Sequence, residues 1–116
     1  MSGREHDTPF WAARERCPVA EGELRLLSAW EVLEAYRESG ELAGEGLERA
    51  LCSNACLLAR ALERGGAPVY ADGRAVLEAL RIEDIVRLAN RWGAFNREVN
   101  PSPLAGEAEI EARKKA

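Results

Sequence analysis

Cys52 and Cys56 stand one helical turn apart in the stretch RALCSNACLLARALERGG, with Arg49 before them and Arg60 after. Nearby guanidinium charge favours a thiolate, and the thiolate is the nucleophilic form of cysteine, so Cys56 is the residue best placed for reactive-thiol chemistry. The simpler reading, which the sequence favours, makes these two small residues a second contact side of a packed helix. A Cys/His or Ser/His pair lacks support, because the single histidine, His6, sits in a polar leader. Four zinc ligands do not assemble either, since only Cys17 adds to the pair. Three cysteines cannot all enter a closed disulfide framework, so reduced thiols are expected. Glu31, Glu34 and Glu38 recur at a spacing that acid–base carboxylates could share, but a solvated helix face has the same spacing. Neither G-x-G-x-x-G nor G-x-x-x-x-G-K occurs, so no phosphate cradle is encoded. The sequence therefore predicts no catalytic residue, no metal and no cofactor.

A second group of residues suits contact with another protein. In IEDIVRLANRWGAFNREVNPSP, Trp92, Phe95 and Val99 share one helix face, and Asn96 falls inside its apolar arc. A buried amide is costly without a hydrogen bond, so Asn96 must find a backbone partner or border a contact surface. Asn54 poses the same problem one helix earlier. Burying Trp92 and Phe95 against a leucine stripe is worth roughly 1.5 to 3 kcal/mol per large side chain, which makes them core residues first. Yet four or five apolar faces compete for one small interior, and surplus apolar surface commonly serves a partner.

The elements that must position these residues read as helices. The chain has 116 residues, 47% hydrophobic, enough for one domain with one modest core. Residues 1–22 read as an irregular leader in which Phe10 and Trp11 could anchor a turn. Residues 23–100 form a single helical domain, and residues 101–116 a flexible charged tail. Ser28 with Glu31 is a capping box, and Leu27 with Val32 a hydrophobic staple, for a helix over 29–39 that Gly40 stops. Its packing arc is Val32, Tyr36, Ala29 and Leu33, with Trp30 at the edge. A second helix, 45–64, carries Leu47, Leu51, Leu58 and Leu62 and ends at Gly65-Gly66. Because its opposite side holds Cys52 and Cys56, it either packs on two sides or leaves its thiols partly exposed. Pro68 opens an extended crossing over 67–72, with strand pairing left open, and Asp72-Gly73 makes a turn or helix start. A short helix follows over 73–80, then a longer one over 82–98 whose face is Ile82, Ile85, Leu88, Ala89, Trp92, Phe95 and Val99. Glu83 and Arg87 are spaced to pair across one turn, and Pro101 and Pro103 end the helix. The expected fold is all-α: a small bundle of about four helices, one extended crossing and flexible termini.

Net charge is -4 with both signs interspersed, so nothing attracts a phosphate backbone and nucleic acid is disfavoured as a partner. No uncharged run approaches the roughly 20 residues a bilayer span needs, and MSGREHDTPFW lacks an apolar signal core, so no membrane association is expected and the location is cytoplasmic.

The order RLLSAWEVLEAYRE, then ALCSNACLLARALERGGAPVYADGRAVLEALRIEDIVRLANRWGAFNREVNPSP, resembles the small tail assembly chaperones encoded beside the tape-measure gene of long-tailed bacteriophages and prophages. The resemblance covers about residues 24–103. It implies a mostly helical, non-enzymatic protein of the host-cell cytoplasm that binds the tape-measure protein and tail-tube subunits before the tail polymerises. Relatives often open the last helix with Ser or Thr, whereas Arg81 stands there in this chain. The family also implies a longer frameshifted product, with which the terminal Lys114-Lys115 pair is compatible. Trp30, Tyr70, Trp92, Phe95, Asn96 and Val99 are then the residues expected to touch the partner or hold the contact surface, and a homo-oligomer is expected when that surface is unoccupied. The alternative is a small phage-encoded inhibitor or regulator that blocks a host protein.

Overall fold

The computed structural model describes residues 15–42 and 46–99, the side chain of Leu47 excepted. His6, Phe10, Trp11, Gly44, Pro101, Pro103, the charged tail and the Lys114-Lys115 pair lie outside the described residues. In chain order the elements are β1 (Arg16–Val19), β2 (Gly22–Arg25), α1 (Ala29–Leu42), α2 (Gly46–Ala61), β3 (Leu62–Arg64), β4 (Ala67–Pro68), α3 (Gly73–Ala79) and α4 (Ile82–Val99). The fold is thus α+β, which corrects the all-α expectation: among the described residues, four helices are joined by a four-stranded antiparallel sheet in the order β1-β2-β3-β4.

The sheet arises where a period of two overrides the reading as leader and helix. Leu24 and Leu26 alternate with Glu23 and Arg25 and are wholly buried. Cys17 pairs with Leu24 and Leu24 with Leu62, so three apolar residues from β1, β2 and β3 line one face. Residues 16–22, expected to belong to an irregular leader, instead form a hairpin with residues 23–25, and the second helix ends at Ala61 instead of continuing to the glycines. Leu62 remains a core residue, but as a strand residue. Gly65 and Gly66, with φ of 62° and 83°, form the two-residue turn to β4, a conformation that residues with a Cβ resist. Part of the crossing, Ala67–Pro68, is accordingly a strand paired with β3.

α2 is the central helix, packed against α1, α3 and α4. It packs on more than one side: Cys52, Ala55, Cys56, Leu58, Ala59 and Ala61 are all buried. Leu58 joins Leu24, Leu26, Leu62, Val76, Ile85, Leu88 and Phe95 in one core cluster. The capping box of α1 forms as read, with the Glu31 N–H donating to Ser28 Oγ at 3.2 Å and the Ser28 N–H to Glu31 Oε1 at 3.0 Å. Gly40 does not stop α1, which runs on to Leu42, because one exposed glycine costs a helix only about 1 kcal/mol. The packing side of α1 also differs. Ala35 and Ser39 are buried, Val32 is half-buried, and Ala29, Leu33 and Tyr36 face outward. Small residues let α1 approach α2 closely, and the Ser53 hydroxyl donates to Ser39 Oγ at 3.2 Å.

The short helix starts as the sequence indicates, with Asp72 Oδ1 accepting from the Ala75 N–H at 2.9 Å. In α4, Ile85, Leu88 and Phe95 are buried, whereas Ile82 is exposed. Its first turn is held through the Arg81 carbonyl, which accepts from Asp84 and Ile85 N–H at 3.1 Å each. The expected Glu83–Arg87 pair is replaced: Glu83 binds Arg81, and Arg87 reaches Glu21 in the β1–β2 turn and Asp84.

Candidate functional site

Two part-buried polar clusters and one exposed apolar face are the features with chemical potential. In the first cluster, Arg25 of β2 sits among carboxylates from different elements. Its Nη2 lies 2.6 Å from Glu31 Oε2 and its Nε 3.3 Å from Glu63 Oε2, while Arg16 Nη1 is 2.6 Å from Glu63 Oε1. Burial opposes the Arg25 charge, but the hydrogen bond and charge of Glu31, joined by Glu63, outweigh it and hold the pKa of Arg25 above its ordinary value. Burial would likewise raise the Glu31 carboxyl. The hydrogen bonds from Arg25 and the Ser28 N–H reverse that and hold it below its ordinary value. A carboxylate so neutralised is a poor base at neutral pH, and this network serves to lock the sheet to the start of α1.

The second cluster surrounds Cys56. Arg60 Nη1 is 2.7 Å from Glu38 Oε1 and donates to the Cys56 carbonyl at 2.9 Å, and its pull on the thiol is outweighed by burial and by the Glu38 carboxylate. Cys56 is wholly buried, and its thiol is pushed up to about 12, by burial first and then by the Glu38 carboxylate. The reactive-thiol reading is thereby overturned. Glu38 Oε2 also accepts the Gly73 N–H at 2.7 Å, capping α3 from another helix. That contact requires glycine: a Cβ at position 73 would lie 2.3 Å from Cys56 Sγ and 3.1 Å from Cys56 Cα. Cys17 and Cys52 are buried free thiols as well. Among the described residues, no group of three His, Cys, Asp or Glu side chains is placed to hold a metal ion.

The six residues expected at a contact surface separate into two places. Phe95 is buried in the core, and Tyr70, Trp92 and Val99 are half-buried against the same cluster. Trp92 donates its indole N–H to the Arg25 carbonyl at 2.9 Å, which fastens α4 to the end of β2. Asn96 is half-buried beside them. Trp30 stands apart on the outer side of α1, 58% exposed, with the Arg37 guanidinium over its ring at 4.9 Å from the centroid. Leu33 and Tyr36 of α1 are also exposed, 48% and 55%, whereas the sequence pattern places both in the packing arc. Ile82 and Val86 expose a smaller apolar strip on α4. What would have signalled the outward face is the Ala35/Ser39 pair, a small-residue side on which helices approach closely.

Among the described residues no helix is long and apolar enough to cross a membrane. No protein-family model, curated protein or solved structure matches this chain.

Proposed function

We propose that this chain is a non-enzymatic phage or prophage tail assembly chaperone, acting in the host cytoplasm, that binds the tape-measure protein and tail-tube subunits before the tail polymerises. The observation that carries the reading is the outward face of α1. Trp30, Leu33 and Tyr36 are exposed on a domain whose core closes without them, and such rigid aromatic surface is the kind that anchors protein contacts. Trp92, Phe95, Tyr70 and Val99 serve the same purpose indirectly, by packing into the core that presents α1. The resemblance over about residues 24–103 supplies the identity of the client. Two part-buried clusters whose charges are neutralised in pairs suit a scaffold better than an active site.

The test is co-expression with the neighbouring tape-measure product followed by affinity capture. A complex is expected, and Trp30→Ala combined with Tyr36→Ala is expected to reduce capture at least tenfold without loss of folding. Absence of any complex while both proteins are soluble would overturn the reading.

A further inference from the structure

The four glutamates of α1, Glu31, Glu34, Glu38 and Glu41, follow one another at steps of three, four and three and so form one rail along the helix. Ala29, Leu33, Tyr36 and Gly40, at steps of four, three and four, form a parallel strip that carries no charge and is exposed at every position. Trp30 and Arg37 stand on the ridge between strip and rail. Within the rail, Glu31 is paired with Arg25 and Glu38 with Arg60. Glu34 and Glu41 are exposed, and among the described residues no cation pairs with either. We infer that this face takes a basic amphipathic helix of the client, its apolar side on the strip and its Lys or Arg side chains along Glu34 and Glu41.

Who the client is rests on the proposed function; the chemistry of its helix rests on this face. Large apolar residues exposed at helical spacing are matched by an apolar stripe at the same spacing. Gly40 leaves room on the strip for a large side chain of the client, since a Cβ added there would meet only the tip of Arg49, at 3.7 Å. Charge then selects among apolar helices. Two unpaired carboxylates attract cations and repel an acidic partner, a nucleic acid or an anionic membrane surface. A second copy of α1 brings the same excess of glutamate and is disfavoured for the same reason. Arg37 makes no ion pair with the rail, and its guanidinium lies over the Trp30 ring, 4.9 Å from the centroid. Glu41 adds an independent sign. It lies in the last turn of α1, which holds no basic residue, and a carboxylate there opposes the helix dipole. A charge that the fold itself disfavours, set beside exposed aromatic residues, is the kind of local conflict found at binding sites.

Fluorescence anisotropy on the full chain tests this with three labelled peptides of roughly 18 residues, five helical turns. The first places Leu on one helix face and Lys beside it, the second replaces each Lys by Glu, and the third shuffles the order of the first. The Leu/Lys helix is expected to bind about tenfold tighter than either of the others, and to weaken as salt rises from about 50 mM to about 500 mM. Glu34→Lys combined with Glu41→Lys should reverse the preference, so that the Leu/Glu helix binds and the Leu/Lys helix does not. Both positions are exposed and lysine is a good helix former, so this variant stays folded, as circular dichroism checks. Equal binding of the shuffled peptide, an unchanged preference in the double variant, or a face already covered by a second copy, seen as a dimer in light scattering without peptide, overturns the inference. In co-expression, a client captured equally by the parent and the double variant also overturns it and leaves the chaperone reading intact. Discrimination among the peptides with no tape-measure product captured overturns the chaperone reading alone.

Discussion

Cys56 looks activated when its own helix is considered alone, with Arg60 one turn on. Glu38 and Gly73 arrive from two other helices and reverse that, shutting the thiol in and taking up the arginine's charge. None of Cys17, Cys52 and Cys56 is expected to react with a thiol reagent at neutral pH in the native protein, and all three should react in denaturant, as counted by mass spectrometry. Gly73→Ala is expected to lower stability by roughly 1 to 3 kcal/mol in urea unfolding, because the added methyl has no room between Cys56 and Glu38. Glu31 predicts a pH effect. Its folded pKa lies below its unfolded value, so its contribution is present above the ordinary 4.5 and is lost as pH falls through the lower folded value. Urea midpoints between neutral pH and about pH 3 should therefore fall less for Glu31→Gln than for the parent protein.

At the scale of elements, the signals that were legible were local ones. Ser28 with Glu31, Asp72 before Gly73, and the apolar spacing of Ile85, Leu88 and Phe95 each act within one or two turns, and α1, α3 and α4 lie where those signals put them. Ser28→Ala is expected to cost about 1 kcal/mol through the lost cap. The sequence places β1 in an irregular leader and most of β2 at the start of a helical domain, because the strands are four residues each, with Pro18 in β1 and charge throughout. Such strands have no stability of their own and exist because Leu24 finds Leu62, 38 positions further along the chain. Leu24→Ala should cost about 2 to 5 kcal/mol and weaken the antiparallel amide I band, since this one side chain joins β1, β3 and the core. The end of α2 was misplaced for the same reason, as Leu62 satisfies a helical stripe and a strand register equally well.

For the molecule as a whole, the exposed large hydrophobic residues sit mainly on a different helix face from the one the sequence singles out. The Trp92 and Phe95 face, the strongest amphipathic pattern in the chain, is consumed by the core, and α1 turns its large residues outward so that Ala35 and Ser39 can meet α2. If α1 is the contact surface, substitutions there should separate binding from folding. Trp30→Ala should leave the melting temperature within about 2 °C of the parent, a surface-sized effect, while Trp92→Ala should lower it by several degrees because it removes both packing and the indole bond to Arg25. Differential scanning calorimetry distinguishes the two. The sequence by itself determined the helix starts, the reduced state expected of the thiols and the apolar inventory, since caps, composition and periodicity act over a few neighbouring residues. Only the tertiary structure decided that residues 16–25 and 62–68 pair into a sheet, that Cys56 is sealed, and which side of α1 faces water. Each of those outcomes depends on partners tens of residues away, competing for the same small interior.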